Sequence, residues 1–448
     1  IFNKRYSIVN ILFFMLLGSL FLLPCTALPY FSDILREASK EGAVYLLLPT
    51  LLLALITAPL KVTKVFIDRT IIRALLIYLL YVFMIFLINY DTISSSAHMD
   101  KIGDTRFIIQ YLELCFGFAI IFTMSYILDN ERKLFLVDKK IYLFTFILIF
   151  FIIFQFLAYY IKGSLLGVYE VITSPIFTDN VIQGAKGRLH GFGSEPSHLA
   201  FYLAVVLPYV LIKLIDKRRY EVIFLIGLVV FFSYSRTLYG IFMIQLFLIL
   251  YFKNHQYIRF KQLSYFMIFF SVILMSVGGL EFIMPVLAAF DLDSGGSSLT
   301  RVAVIYAALQ AWLDHNIWIG LGLGQTGFFA HNFIDEFGLY THELLAINEY
   351  SRWPFIHNLH IRLLVETGII GFAIWLYIWY IFFRKVHLII KNKYVEHRIK
   401  DSFGRAVFVS LTGVFFALLA RENLTNMNIW IALGLAYSYI VINKKYSR

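Results

Sequence analysis

The sequence predicts an all-α, polytopic membrane protein, and three features of it do so. The 448 residues are 60% hydrophobic and only 15% charged, where soluble domains carry about a quarter charged residues. Their mean hydropathy is +0.77. Apolar runs of about 18–25 residues recur along the whole length. The runs do not alternate, so helices rather than a closed barrel must satisfy the backbone in lipid. Cys25 and Cys115 lie inside apolar runs and read as packing residues.

Taken in order, about twelve transmembrane helices are expected, near 8–28, 43–60, 71–90, 107–128, 141–161, 196–215, 220–234, 237–252, 262–286, 358–383, 403–420 and 424–443. The first follows Lys4 and Arg5 without a convincing small-residue cleavage site, and so reads as a retained helix. The pair on either side of Ser235 is short. One set of alternating loops is rich in Lys and Arg, from Lys61, Lys64 and Arg69 through Lys213–Arg219 to the run from Arg384 to Arg405. The net charge of +11 therefore follows the positive-inside rule and does not point to nucleic acid. Both termini are expected in the cytoplasm, and residues 1–448 form a single integral membrane domain. On the opposite side, the segment 287–357 is a large loop with structure of its own. Ser297–Leu313 reads as a capped amphipathic helix and Gly320–Gly327 as a glycine-rich turn region, so a helical lid is expected.

The residues able to carry chemistry gather on that outer side. They are Arg188, His190, Glu195 and His198 in the stretch 186–203, Tyr234 and Arg236 in SYSRT, Arg301, Arg352, His357 and Arg421. Basic residues on the side that the rule disfavours call for a reason, and an anionic ligand supplies one, since arginine forks match phosphate oxygens. Each has an alternative reading. Arg236 alternatively snorkels to the interface, and Arg301 is a solvated helix residue. Arg188 and Glu195 alternatively form a structural ion pair. Glu195, just before Pro196, alternatively caps a helix, and His198 is a core histidine. His357 opens the span after the lid, where a neutral imidazole is placed to take a proton from a sugar hydroxyl. Arg362 and Glu366, at i and i+4, alternatively pair within the membrane, while Gly368 and Gly371 allow close helix packing. There is no HExxH or phosphate-binding GxxxxGK[ST] pattern and no defensible Ser–His–Asp order, so no metal and no cofactor are expected.

The runs RLHGFGSEPSHLA (188–200), SYSRT (233–237), SSLTR (297–301) and HNLHIRLLVETGIIG (357–371) resemble the O-antigen ligase and Wzy-type polymerase superfamily of bacterial envelope glycosyltransferases. The helix count, the late outer loop and the sidedness of the termini match as well. The resemblance implies a GT-C-like, metal-independent glycosyltransferase in the bacterial inner membrane, with its active site periplasmic. Its substrates would be undecaprenyl-diphosphate-linked oligosaccharides among the membrane lipids, with a chain-length-regulating co-polymerase as a further partner. Arg188, Arg236 and Arg301 would bind the diphosphate, with His190, His198, Tyr234, Arg352, Asn358 and Glu366 in the substrate-binding set. His357 would activate the acceptor hydroxyl, and Glu195 competes for that role. The run around EPS is closer to the polymerases than to the ligases. A lipid-linked oligosaccharide flippase is the rival from another class, but it would line a mid-membrane path with polar groups.

Overall fold

The computed structural model describes residues 2–26, 28, 40–57, 67–99, 101–161, 164–174, 188–253, 297–334, 342–349, 353–391 and 401–446. The expected span 262–286 and Arg352 lie outside them. Every other expected span overlaps a helix. These are α1 (Phe2–Leu22), α2 (Val44–Thr57), α3 (Arg69–Ile88), then a short α4 (Tyr90–Ser95), α5 (Gly103–Ile127) and α6 (Glu131–Ile161). After α7 (Ser164–Thr173) come α8 (Pro196–Asp216), α9 (Tyr220–Phe232) and α10 (Arg236–Lys253). The outer segment holds α11 (Ser297–Leu313), α12 (Thr326–Ala330) and α13 (His342–Asn348). The last helices are α14 (Leu359–Lys391), α15 (Asp401–Ala417) and α16 (Met427–Tyr446). Segments of α3, α5, α6, α8, α14 and α15 are long and apolar enough to cross a membrane, whereas α1, α2, α9, α10 and α11 are apolar but shorter. The protein is thus an all-α polytopic membrane protein. The one sheet among the described residues is a hairpin of Ala97–His98 and Lys101–Ile102.

α8 forms the centre. It is apolar on every face and buried from Leu199 to Ile212, as a helix hydrophobic all round must be. Pro208 lies inside it and has no N–H to offer the carbonyl of Ala204. Gln245 of α10 donates its side-chain amide to that carbonyl at 2.7 Å, which restores the bond in a setting without water. At one end of the bundle Asp68 caps α3, accepting from the N–H groups of Thr70 and Ile71 at 3.2 Å. Its other oxygen meets Lys385 of α14 at 2.9 Å and Lys444 of α16 at 3.5 Å, so one buried carboxylate ties three helices. The pair Lys213–Asp138 lies at the same end, which agrees with the Lys/Arg-rich side read from the sequence.

Gly368 does not simply ease helix packing. It has φ 65° and ψ −175°, and α14 is broken there. The glycine-rich segment fills the break. Leu321 and Gly322 donate to the carbonyls of Val365 and Glu366 (3.0 and 2.8 Å), and Ile369 donates to Ile317 at 3.1 Å. A Cβ on Gly368 would overlap the carbonyl of Trp318, and one on Gly320 would overlap Gly368 N, so both positions require glycine. α11 buries Ala303, Val304, Ala307, Ala308 and Ala311 against Leu321, Leu344, Ile356 and Val365. Its other face is not polar as expected of an amphipathic helix, since Val302, Tyr306 and Leu313 are exposed there.

Candidate active site

The turn between α9 and α10 is built by its serines. Ser233 Oγ donates to the carbonyl of Val230 at 2.6 Å, and Ser235 Oγ accepts from Leu238 N at 3.3 Å as the cap of α10. Tyr234 between them adopts φ 49°. Capping by Ser235 leaves Arg236 at the first position of α10, exposed at the positive end of the helix. Arg188 is exposed and donates from Nη2 to the carbonyl of Tyr234 at 3.1 Å. Arg236 also feels the charges of Arg301, in the first turns of α11, and of Arg188. Three arginines far apart in sequence are thus held within electrostatic reach of one another.

The rest of the first motif serves the turn. His190 is fully buried and bonds through Nδ1 to the carbonyl of Gly193 at 2.6 Å. Gln155 Oε1 accepts from the N–H groups of His190 and Gly191 at 3.2 and 3.0 Å. Burial pushes the imidazole of His190 down to about 4, so it is neutral at physiological pH. This turn separates Arg188 from Glu195. Glu195 accepts from Ser197 at 3.2 Å and faces the charge of Arg421, and Arg188 turns to Tyr234, which does not support the alternative reading of the two as a structural ion pair. Glu195 stands at the cap position of α8, but its side chain makes no capping bond.

Arg421 joins the two motif stretches. Its Nη2 lies on the ring of His198, 3.2 Å from Nδ1 and closer to Nε2. Its carbonyl accepts from Leu359 N at 2.8 Å, at the start of α14. Next to it, Glu422 accepts at one carboxylate oxygen from the N–H groups of Ile356 and His357, at 2.5 and 3.3 Å. His357 itself has φ 55°. Asn358 is the cap of α14, its Oδ1 accepting from Ile361 N at 3.1 Å.

Beneath that loop lies a network of opposite charges. Arg362 donates from Nε to Glu366 Oε1 at 3.0 Å, from Nη1 to the carbonyl of Glu422 at 3.0 Å, and from Nη2 to Gln110 at 2.7 Å. Thr326 also donates to Glu366 Oε1 at 3.0 Å. Glu366 is buried in this network, on the wall of a small cavity shared with Arg106, Thr326, Trp353 and Glu422. The bond to Arg362 is the alternative pair read from their i, i+4 spacing. Burial pushes the Glu422 carboxyl up, against the pull of Arg362 and the two backbone N–H groups.

Two buried carboxylates at this end do not stand out in the sequence. Glu422 follows Arg421 in a short polar run, and only its adjacency to that outer arginine marked it. Glu41 is buried within the field of Arg421, and burial raises its carboxyl to about 7. It had no motif around it.

No curated protein matches the chain. Residues 222–376, about a third of the sequence, match the family model described as O-antigen ligase, and this stretch, which carries Arg236, Arg301, His357 and Glu366, supports the resemblance to the O-antigen ligase/polymerase superfamily.

Proposed function

We propose that this membrane glycosyltransferase polymerises undecaprenyl-diphosphate-linked repeat units at the periplasmic face of the bacterial inner membrane. The observation that carries the reading is the gathering of Arg188 and Arg301 within reach of Arg236 at the start of α10. Three cations beside a helix N-terminus suit a diphosphate, whose charge grows as it leaves. In the reaction, an acceptor sugar hydroxyl oxygen bonds to the anomeric carbon of the donor glycan. The bond from that carbon to the diphosphate oxygen breaks, and its electron pair stays with the lipid diphosphate, where the arginines stabilise it. His357 takes the hydroxyl proton. Glu195, one step from Ser197 and Arg421, is the competing base. His198, Tyr234 and Asn358 complete the proposed substrate-binding set, together with Arg352, which lies outside the described residues. His190 and Glu366 shape it from below, through the turn and the buried network. Diphosphate is already a good leaving group, so the step needs no metal or nucleotide. The Lys/Arg-rich end marked by Lys385, Lys444 and Lys213 would then face the cytoplasm, and a chain-length-regulating co-polymerase is a further proposed partner.

The test is reconstitution of the purified protein with synthetic lipid-linked repeat units and gel analysis of the products. A glycan ladder lost in His357→Ala and in Arg188→Ala is expected. The description of the matched family favours a second reading, an O-antigen ligase. Product formed only once lipid A–core is added would establish it. Movement of the lipid-linked sugar across the bilayer without transfer would replace both readings with a flippase.

A further inference from the structure

We propose that Glu422 is a positioning residue for His357, holding it in the backbone conformation from which its ring meets the acceptor. The inference rests on the reading of His357 as the proton-accepting group. It is carried by the loop 353–358, which runs into α14 without secondary structure of its own.

His357 has φ 55°, in the left-handed region that residues with a Cβ seldom occupy. A backbone in that state persists only where its surroundings over-determine it. Here the surroundings are the pair Arg421–Glu422. One oxygen of Glu422 accepts from Ile356 N at 2.5 Å and from His357 N at 3.3 Å. The carbonyl of Arg421 accepts from Leu359 N at 2.8 Å. The carbonyl of Glu422 accepts from Arg362 at 3.0 Å, which fixes the pair to the first turn of α14. The N–H groups on both sides of the left-handed residue, and its own, are thus claimed by two adjacent residues from a distant part of the chain. Arg421 reaches His198 at its other end, so the same pair sets His357 relative to the first motif.

The role is geometric, since a single acceptor oxygen takes both N–H groups. Glutamine offers the same oxygen at the same reach without the charge. The test uses the full-length protein in detergent or liposomes with lipid-linked repeat units as substrate. It measures kcat and KM for Glu422→Ala, Glu422→Gln and His357→Ala, with melting temperature as a control on folding. Glu422→Ala is expected to lower kcat by about 10- to 100-fold with KM changed by less than about threefold, the cost of misplacing a catalytic group by about an ångström. Glu422→Gln is expected to keep more than about a tenth of wild-type kcat and the same pH profile.

If Glu422→Ala keeps more than about a tenth of kcat, the inference is overturned. A Gln variant below about a tenth overturns it as well, because the charge rather than the geometry would then matter. Should the Ala variant not fold, the Gln variant alone decides by the same threshold. An active His357→Ala would sink the reading of His357 itself. An inactive His357→Ala beside an unaffected Glu422→Ala would sink only the role of Glu422.

Discussion

Two arginine regions at the same end of the bundle are built on opposite rules. Around Arg236 like charges are held together, with Arg301 and Arg188 both within reach and all three side chains exposed. Around Arg362 opposite charges are held together, in a site closed to solvent, with Glu366, the Glu422 carbonyl and Gln110 taking its N–H groups. A buried arginine so fully bonded orders the helices that contribute to it. A cluster of exposed arginines weakens the fold by self-repulsion, and its retention makes sense where an anion joins it. Residue type alone did not separate the two roles; burial and partners did.

Removing Arg362 should separate them most sharply. Arg362→Ala leaves Glu366 and Glu422 as buried acids without their cation, and should cost about 3–5 kcal/mol, read as loss of folded protein or a large drop in melting temperature. Arg236→Ala should do the reverse. Melting temperature should hold or rise, while turnover of lipid-linked repeat units falls by about 10²- to 10³-fold. Equal loss of stability in the two variants would erase the distinction.

Glu41 sharpens it on the pH axis. Its carboxyl is raised from 4.5 to about 7, so its contribution to stability is full below pH 4.5 and is lost as pH rises through 7. Wild type should lose about 2–3 kcal/mol over that window, and Glu41→Gln should flatten the slope in melting curves taken across it. The smallest effect is that of salt. Raising ionic strength from about 0.1 to 1 M should weaken substrate binding to the exposed arginines several-fold, while the stability supplied by the buried network changes little.

The helices were legible because long apolar runs have few other ways to satisfy their backbone. The turn region Gly320–Gly327 was legible from its glycines, and the Arg362–Glu366 pair, as an alternative reading, from its spacing along one helix. The rest depends on contacts between distant residues. Nothing near Glu422 in sequence shows that its carboxylate meets Ile356 and His357. Gly368 reads as a packing glycine until the loop through Trp318 is placed against it. Arg188 and Glu195 are near in sequence, and the turn held by His190 and Gln155 sends them to different partners.

The break in α14 has a consequence for motion. Residues 317–322 are bonded to α14 on both sides of Gly368, and Tyr81 of α3 donates to the carbonyls of Thr367 and Trp318 at 3.0 and 3.3 Å. That stretch travels with the helix. α11 is tied to it in turn, since Trp312 Nε1 donates to the carbonyl of Ile317 at 3.2 Å and His315 Nδ1 meets the carbonyl of Ala311 at 2.8 Å, so the end of α11 and the break in α14 form one coupled unit.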